Sequence, residues 1–483
     1  GANAIHPGYG FLSEHESFAK TLTNSEVTFI GPLPKAIAIM GDKIKSKKLA
    51  VKAGINTIPG YGEAVGGATE AARVAKKIGY PVILKASAGG GGKGMRIAKN
   101  EEECRDGLKH AKGEAVTAFG DDRVFIEKYI ERPRHIEIQV LADSQGNTVY
   151  LHERECSIQR RHQKIIEEAP SVFLDDTTRR AMGKQAVVLA KAVNYCSAGT
   201  VEFIVDENMN FYFLEMNTRL QVEHPVTEKI TGLDLVEWMI RIAAGETLSF
   251  TQDEIPLNGW SIEARIYAEN ASRNFMPSSG RLKTFAPPQE KKFIRVDTGV
   301  IEGGEVSIHY DPMIAKLITF GSTREESIKH MSSALDEFLI EGVANNIGFL
   351  ASIMSNDRFL DGRINTDFIA EEYPEGFCAH DLTPVNPNLL ICVAAAVHQA
   401  YEERASMISG QFLAKKKPMS SESWIVQLRD LIYLVKVDIT DSGYNITHDG
   451  NESFLESGWK LGEALFQGHF DGQEFCLQVK SVG

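Results

Sequence analysis

Apolar and polar positions follow helical and strand periods in turn along most of the chain. Helical patterns run from about Asp42 to Gly54 and from Ala68 to Ile78. Strand patterns occur at Val124 to Tyr129 and at His135 to Leu141, where apolar side chains alternate with polar ones. The two kinds of signal remain mixed up to about Tyr373, so the sequence predicts a mixed α and β fold for this part.

The pattern changes near Pro384. An apolar helix is predicted from about Asn388 to Ile408. Short strand patterns with turn signals between them follow at Trp424 to Leu428, Ile432 to Ile439 and Glu474 to Val479. We therefore predict that the end of the chain forms a separate, mostly β domain.

Composition narrows the class of protein. The chain has 483 residues, enough for two to four domains, and its 52 Lys and Arg against 65 Asp and Glu give a net charge of -13. This charge argues against nucleic-acid binding. No apolar run is long enough to span a bilayer. The six cysteines form no CxxC pair, which predicts a reducing compartment without zinc or disulfides. Because Gly1 opens the chain without a leader, we expect the true start to be missing.

A glycine-rich loop follows a short buried strand that ends at Lys85. Four consecutive glycines occupy positions 89–92, and Lys93 follows them. Such a backbone lets N–H groups approach phosphate oxygens closely. It is not a P-loop, because Lys93 is followed by Gly94 instead of Ser or Thr. The alternative is a flexible surface linker.

Two acidic residues are predicted to meet on a β-hairpin. Strands 201–205 and 211–215 flank a turn, and a turn centred on Asn208 and Met209 pairs position i with position 417 minus i. Glu202 then lies opposite Glu215, with Cβ atoms about 5 Å apart. Two such carboxylates repel each other unless a cation or proton lies between them. They suit Mg²⁺, with Asn217 as a third oxygen ligand. The alternative is two solvated glutamates.

Two polar segments add candidate anion sites. In the segment 217–225, Arg219 can hold a small planar anion such as bicarbonate, and Glu223 is a candidate general base. A salt-bridged loop explains this segment equally well. The segment 154–164 is strongly basic, which indicates an anion site or a solvated turn. Within it, Cys156 is interpreted as structural, because no base is fixed beside it.

Together these residues resemble the biotin carboxylases over residues 1 to about 378. The segments that carry the resemblance are 6–14 (HPGYGFLSE), 40–43 (MGDK), the glycine loop, 127–129 (EKY), 134–137 (RHIE), 155–164 and 215–225. The resemblance implies an ATP-grasp α/β fold, in which a lid carrying the glycine loop closes over ATP.

The resemblance also implies roles for individual residues. The implied ATP contacts are Lys43, Lys85, Gly90, Gly91, Gly92, Met95, Glu127, Lys128, His135, Gln159 and His162. The implied metal ligands are Glu202, Glu215 and Asn217. Lys164, Arg219 and Val222 are the implied bicarbonate pocket, with Glu223 as the base. Arg295 is implied to stabilise the negatively charged form of biotin. The implied catalytic set is thus Glu223, Arg219, Arg295 and Lys164.

The implied reaction uses ATP, Mg²⁺ or Mn²⁺ and bicarbonate to carboxylate biotin through carboxyphosphate. The implied domains are 1–41, a remnant of the N-terminal domain and linker; 42–130, the lid; 131–378, the catalytic and C-terminal carboxylase region; and 379–483, a helix plus antiparallel β-barrel. No biotin-carrier motif occurs in the sequence. We therefore expect biotin on a carrier domain beyond Gly483.

The last hundred residues resemble the docking domain of acyl-CoA carboxylase α subunits. This implies a carboxyltransferase β subunit as partner in a hetero-oligomer of α6β6 type. Four segments, 56–60, 87–89, 120–123 and 310–314, are most similar to the propionyl-CoA branch. The methylcrotonoyl-CoA and acetyl-CoA branches, another ATP-grasp carboxylate–amine ligase, and a catalytically silent assembly subunit remain alternatives. The expected location is the bacterial cytoplasm, or the mitochondrial matrix in a eukaryote.

Overall fold

The structure is a computed structural model that describes residues 1–88, 94–378, 386–408 and 421–480. Gly90, Gly91 and Gly92 of the predicted glycine loop therefore lie outside the described residues. No helix in the described ranges is both long and apolar enough to cross a membrane.

The first segment brings short helices against the rest of the protein. Two short parallel strands, Ala4–Ile5 and Thr28–Phe29, pair with each other. The helices are Glu16–Asn24, Pro34–Met40 and Lys43–Lys52. The third begins at the predicted position because the Asp42 carboxylate accepts hydrogen bonds from the Ile44 and Lys45 amides at 3.0 Å, which caps the helix.

A small sheet forms the lid. Strand Val82–Ala86 lies between Met95–Ala98 and Val124–Lys128, and both neighbours are antiparallel to it. Helices Ala68–Ile78 and Glu101–Phe119 cover one face, and the first matches its predicted limits. Val74, Val82, Leu84, Leu108 and Ile126 belong to the buried core between them. The lid core thus holds the strand that leads into the glycine loop.

An eight-stranded antiparallel sheet forms the centre of the molecule. Its strands in spatial order are Phe211–Asn217, Ser197–Val205, Arg134–Ala142, Thr148–Arg160, Gln163–Ala169, Trp260–Tyr267, Met313–Gly321 and Ile294–Thr298. As predicted, Ile136, Ile138 and Val140 share one face, which packs on helix Asp176–Ala192. Glu137 and Gln139 share the other face, which is buried as well but polar.

Further helices and short strands complete this region. The helices are His224–Thr231, Leu235–Ala243, Arg324–Glu337, Ile347–Met354, Asp357–Leu360 and Phe368–Glu372, with 3-10 turns at Gln252–Glu254 and Ala271–Arg273. The short strands are Glu269–Asn270, Met276–Pro277, Gly280–Arg281, Thr284–Ala286, Glu305–Val306 and Leu339–Glu341. Helix His224–Thr231 lies across the polar face of the central sheet and contacts four of its strands.

The predicted hairpin has the expected acid pair but a different turn. Near the turn, Phe211 pairs with Val205, one residue out of the predicted register. A bulge between Phe213 and Glu215 then shifts the register, so that Glu215 lies opposite Glu202. The turn itself is closed by Asp206, whose carboxylate accepts hydrogen bonds from the Asn208 and Asn210 amides. The predicted pair is confirmed, and the predicted two-residue turn is wrong.

The end of the chain packs a helix on a curved antiparallel sheet. The helix is Pro387–Ser406, and the strands in order are Ser421–Leu428, Leu431–Ile439, Tyr444–His448, Asn451–Glu456, Leu465–Phe470 and Gln473–Gln478. The sequence pattern predicts the first, second and sixth of these strands and misses the third, fourth and fifth. The sheet is a half-barrel, since its first and last strands do not pair within the described residues. Gln478 Nε2 lies 3.2 Å from the Phe338 carbonyl oxygen, which joins this sheet to the preceding region.

Candidate active site

A cavity of about 1250 Å³ lies between the lid sheet and the polar face of the central sheet. Nearly all the predicted site residues in the described ranges line it. Those residues are Lys43, Lys85, Met95, Glu127, Lys128, His135, Gln159, His162, Lys164, Glu202, Glu215, Asn217, Arg219, Val222 and Glu223. Arg295 is the exception. The fold therefore brings together residues that are up to 180 positions apart in sequence.

The lid end of the cavity is built around Glu127. Its carboxylate binds the ammonium groups of Lys47 and Lys85, the latter at 2.9 Å. Burial alone would raise the pKa of Glu127, but these two lysines lower it overall. Lys128 is held differently, because its ammonium group donates to the carbonyl oxygens of Gly79 and Tyr80 at 3.0 and 2.9 Å. Lys47 was not predicted and shares its acceptor with Lys85.

The acid pair lies at the middle of the cavity wall. Glu202 is 5% exposed, so the solvated alternative is wrong for this residue. Asn217 Nδ2 donates to Glu202 Oε1 at 2.8 Å, and Lys43 Nζ lies 3.2 Å from Glu215 Oε2. Two carboxylates and an amide oxygen on neighbouring paired strands are hard oxygen donors, which is the ligand type that Mg²⁺ or Mn²⁺ prefers. The residues present therefore fit such an ion.

Lys164 connects three carboxylates. Its Nζ atom lies 2.5 Å from Glu137 Oε2, 2.6 Å from Glu223 Oε1 and 3.2 Å from Glu202 Oε1. Burial would lower the pKa of Lys164, but the surrounding carboxylates raise it well above its usual value. Lys164 is therefore a fixed positive charge at the base of the cavity. One ammonium group cannot balance three carboxylates, so the cluster needs further cations.

Arg154 supplies one of those cations from inside the protein. It is completely buried, and its guanidinium donates to Glu137 Oε1 at 2.6 Å and to Gln139 Oε1 at 2.7 Å. It also donates to Thr227 Oγ1 on helix His224–Thr231 at 3.0 Å. The alternative of a solvated turn is wrong for this part of the basic segment. Cys156 is also buried, and burial raises the pKa of its thiol well above normal, which agrees with a structural role.

Glu223 lies at the start of the helix that covers the polar face. It is 1% exposed and contacts Lys164 and Arg265, whose Nη2 atom lies 2.9 Å from Glu223 Oε2. Burial would raise the pKa of Glu223, but Lys164, Arg265 and Arg154 together hold it well below the usual range. The carboxylate is therefore ionised at neutral pH. An ionised carboxylate in a closed cavity is chemically suited to accept a proton from a bound substrate.

Arg219 is held by a residue from the first segment of the chain. Glu14 Oε2 accepts from Arg219 Nε at 2.8 Å, and Gln221 Oε1 accepts from Arg219 Nη1 at 2.6 Å. Glu14 Oε1 also accepts from the Thr218 amide at 2.8 Å. The salt-bridged loop, which was the alternative interpretation of the segment 217–225, is thus present. Its ion pair directs the Arg219 guanidinium along the cavity wall.

Arg295 lies outside the cavity wall. Its guanidinium is bound by Asp297 at 2.6 Å and by Glu228 at 2.7 Å. Arg265 lines the cavity instead, and it bridges Glu223 and Glu167. A sequence signal for Arg265 was present: in the strand Trp260–Tyr267 the charged residues alternate with Ile262, Ala264 and Ile266. The structure therefore does not bring Arg295 to the predicted place.

Family models match four parts of the chain. They are "Biotin carboxylase, N-terminal domain" at 1–37, "Carbamoyl-phosphate synthase L chain, ATP binding domain" at 42–251, "Biotin carboxylase C-terminal domain" at 263–371 and "Propionyl-coenzyme A carboxylase BT domain" at 390–483.

Curated relatives match along nearly the whole chain. The propionyl-CoA carboxylase alpha chain of Ruegeria pomeroyi is 52% identical over an alignment that covers 100% of this chain and 74% of the relative. The mitochondrial propionyl-CoA carboxylase alpha chain of Homo sapiens is 52% identical, with 96% of this chain and 64% of the relative covered. The chain thus spans about two thirds to three quarters of the length of these relatives.

Solved structures match about four fifths of the chain. The biotin carboxylase domain of Hydrogenobacter thermophilus 2-oxoglutarate carboxylase, in complex with MgADP, ADP and bicarbonate, has a TM-score of 0.76 and 49% identity, covering 79% of this chain and 83% of that one. Biotin carboxylase from Campylobacter jejuni has a TM-score of 0.75 and 46% identity, covering 77% and 82%.

Proposed function

This chain belongs to the biotin carboxylase family, and from that premise we propose that it is the ATP-using α subunit of an acyl-CoA carboxylase. The substrate of the whole enzyme is proposed to be propionyl-CoA, since the matching relatives carry that name along the full chain. The observation that supports the chemistry best is one cavity that holds a buried ionised Glu223 between Lys164 and Arg265. Burying such a cluster of charges lowers the stability of the fold, and a catalytically silent subunit would gain nothing in return.

Bicarbonate is the proposed first substrate, held at the base of the cavity. Lys164 and Arg219 would bind its oxygens, and the Val222 backbone beside them is fixed because its carbonyl oxygen accepts from Lys316 Nζ at 2.8 Å. Glu223 Oε1 would take the bicarbonate proton as an oxygen of bicarbonate attacks the γ-phosphate of ATP. The products of this step are carboxyphosphate and ADP. A closed lid would protect carboxyphosphate from water.

ATP is proposed to lie between the lid sheet and the central sheet. Lys85 and His162 face the cavity from opposite walls, and Glu127 orients Lys85 through the 2.9 Å ion pair. Glu202, Glu215 and Asn217 would hold Mg²⁺ or Mn²⁺. When bound, that ion would offset the negative charge of the ATP phosphates. Gly90, Gly91 and Gly92 remain proposed phosphate contacts.

Biotin is proposed to arrive on a carrier domain and to supply the nitrogen that takes the carboxyl group. Arg265 would contribute the positive charge beside it, in place of Arg295, because Arg265 lines the cavity and Arg295 does not. The domain limits 1–41, 42–130, 131–378 and 379–483 are part of this proposal. The proposed compartment is the cytoplasm, or the mitochondrial matrix in a eukaryote.

The proposed function is tested by ATP hydrolysis in the full-length gene product. Hydrolysis should require bicarbonate and should be stimulated by free biotin. A carboxylate–amine ligase with the same fold would show neither dependence, so the absence of both would overturn the proposal. Reconstitution with the β subunit and comparison of propionyl-, acetyl- and methylcrotonoyl-CoA would then identify the acyl group.

Replacing Glu215 with Gln should raise the metal requirement. Glu215 has one ionic partner among the described residues, Lys43 at 3.2 Å, so the substitution removes a metal ligand with little disturbance of the core. We expect the Mg²⁺ concentration for half-maximal ATP hydrolysis to rise about tenfold or more. Glu207→Gln, in the turn of the same hairpin, is the matched control. An unchanged Mg²⁺ requirement in E215Q would exclude Glu215 as a ligand.

The partner is proposed to bind the outer face of the C-terminal half-barrel. Ile425, Ile432 and Leu434 are 74%, 70% and 67% exposed on one face of a two-stranded segment, where Ile425 pairs with Leu434. An apolar face of this kind marks a protein interface. We propose that the carboxyltransferase β subunit covers it, since this region matches a domain model of propionyl-CoA carboxylase.

Replacing these three residues together with Thr should abolish co-purification of the β subunit. Biotin-stimulated ATP hydrolysis should stay within about twofold of wild type, because the face is remote from the cavity. Ile301→Thr changes an isoleucine that is 75% exposed elsewhere on the protein and should have no effect on either property. Normal co-purification of the triple variant would show that the β subunit binds another surface.

A further inference from the structure

Two glutamates lie directly opposite each other beneath the active site. Glu263 and Glu167 are partners across the antiparallel strands Trp260–Tyr267 and Gln163–Ala169, and both are 0% exposed. Opposed side chains in such a pair have Cβ atoms about 5 Å apart. Both carboxylate oxygens of Glu263 and Oε2 of Glu167 have no hydrogen-bond partner within the described parts of the chain. The reaction proposed above uses neither residue.

Arg265 and Lys316, the cations near this pair, make their ion pairs with residues other than Glu263. Arg265, on the same strand as Glu263, binds Glu167 Oε1 at 2.6 Å and Glu223 at 2.9 Å. Lys316, on the neighbouring strand, binds Asp297 at 3.2 Å. Glu263 therefore contacts no cation in the described structure.

The covering helix His224–Thr231 supplies no counter-ion either. His224 is neutral, because burial lowers its pKa to about 3. Glu228 is bound by Arg295 at 2.7 Å and is itself acidic. Lys229 is the one lysine of that helix, and it makes no ion pair within 4.0 Å in the described structure. No group on this side neutralises Glu263.

Two opposed buried carboxylates, of which only Glu167 contacts a cation in the described structure, cannot both be ionised without a large electrostatic penalty. A single proton between them removes the repulsion and gives the unpaired oxygens a hydrogen bond. The pKa values agree in direction: burial raises that of Glu263 to about 8 and that of Glu167 to about 7. At neutral pH the pair therefore holds at least one proton.

We propose that Glu263 is a positioning residue that acts as a neutral acid, donating a hydrogen bond to Glu167 Oε2 so that Glu167 keeps Arg265 against Glu223. Glu167 needs its Oε1 atom for Arg265 Nε at 2.7 Å, so Oε2 is the free acceptor. If Glu263 lost this proton, the two carboxylates would repel each other. Glu167 would then move, together with Arg265, which it binds. This inference rests on the proposed function, because Arg265 matters as a cavity residue.

The test compares Glu263→Gln with Glu263→Ala in the full-length gene product. Gln keeps a neutral donor at every pH, whereas Ala removes it. Biotin-stimulated ATP hydrolysis of E263Q should lie within about twofold of wild type at pH 7, and E263A should be about tenfold slower or worse. At pH 9 wild type should fall about tenfold relative to E263Q, as expected for an acid with a pKa of about 8. Glu237→Gln is the control, since it makes the same substitution at an exposed residue. The ratio of its rate of ATP hydrolysis to that of wild type should be the same at pH 7 and pH 9.

A spectroscopic measurement separates this inference from the proposed function. The infrared spectrum of wild type should contain a protonated-carboxyl band that disappears as pH rises through about 8 and that E263Q lacks. This band does not depend on turnover, so it is expected even if biotin fails to stimulate hydrolysis. Absence of the band, equal pH profiles for wild type and E263Q, or equal rates for E263Q and E263A at pH 7 would each overturn the proposal.

Discussion

Glu223→Gln should lower bicarbonate-dependent, biotin-stimulated ATP hydrolysis by about 100-fold or more, the range expected for loss of a general base. Glutamine has nearly the same shape, but it cannot accept the proton of bicarbonate. The substitution also removes the anion that balances Lys164 at 2.6 Å and Arg265 at 2.9 Å. Binding of the β subunit should be unchanged, because the C-terminal half-barrel does not contact Glu223.

The pH dependence gives a second test of Glu223. Its pKa is lowered, so the ionised form contributes stability that is present above the unfolded-state pKa and is lost as pH falls through the depressed folded-state value. At every pH at which the protein is folded, Glu223 should therefore be ionised in the free enzyme. The profile of kcat/KM should show no acid limb near pH 4 to 5 from this residue.

A buried control distinguishes loss of the base from loss of a buried charge. Glu153 is also 0% exposed, but its partner is Arg179 at 2.8 Å, away from the cavity. Glu153→Gln should lower thermal stability while keeping activity per folded molecule. If E223Q retained more than about a tenth of wild-type turnover, Glu223 would not be the base.

Local motifs predicted the candidate site where its residues are close in sequence. Glu202, Glu215 and Asn217 share one hairpin, and the period-two alternation is enough to place them on one face. The turn was wrong because a bulge at Leu214 cannot be recognised from an apolar strand pattern. The wrong turn and the missed bulge compensate each other, so the predicted acid pair is nevertheless correct.

Residues that reach the site from distant strands could not be predicted in the same way. Arg154 contacts Thr227, 73 positions away, and Glu14 contacts Arg219, 205 positions away. Such pairs follow from the order of strands in the central sheet, which no local pattern contains. The missed strands of the half-barrel have a simpler cause. Segments such as Tyr444–His448 are short and rich in polar residues, so their apolar signal is weak.

Arg265 and Arg295 give the sharpest comparison between sequence and structure. The resemblance implied Arg295, but its guanidinium is bound by Asp297 and Glu228 outside the cavity wall. Arg265 lies against Glu223 inside the cavity, where a fixed cation can stabilise developing negative charge. We therefore expect different results from substituting the two arginines.

Arg265→Ala should reduce carboxylation of free biotin by about 100-fold or more, the size expected for loss of a fixed donor in a closed site. Arg295→Ala should reduce it by no more than a few-fold, since it loses two partly exposed ion pairs. Arg265→Lys should recover only part of the loss, because one ammonium group cannot reproduce the planar bridge from Glu167 at 2.6 Å to Glu223 at 2.9 Å.

The rate of carboxybiotin formation, measured with labelled bicarbonate, shows which arginine the reaction needs. Thermal stability is recorded for all three variants, so that a loss of activity is not confused with a loss of folding. A larger loss in R295A than in R265A would restore the role that the sequence resemblance gave to Arg295. A larger loss in R265A would assign that role to Arg265. Its side chain faces the cavity because charged and apolar side chains alternate along the buried strand Trp260–Tyr267.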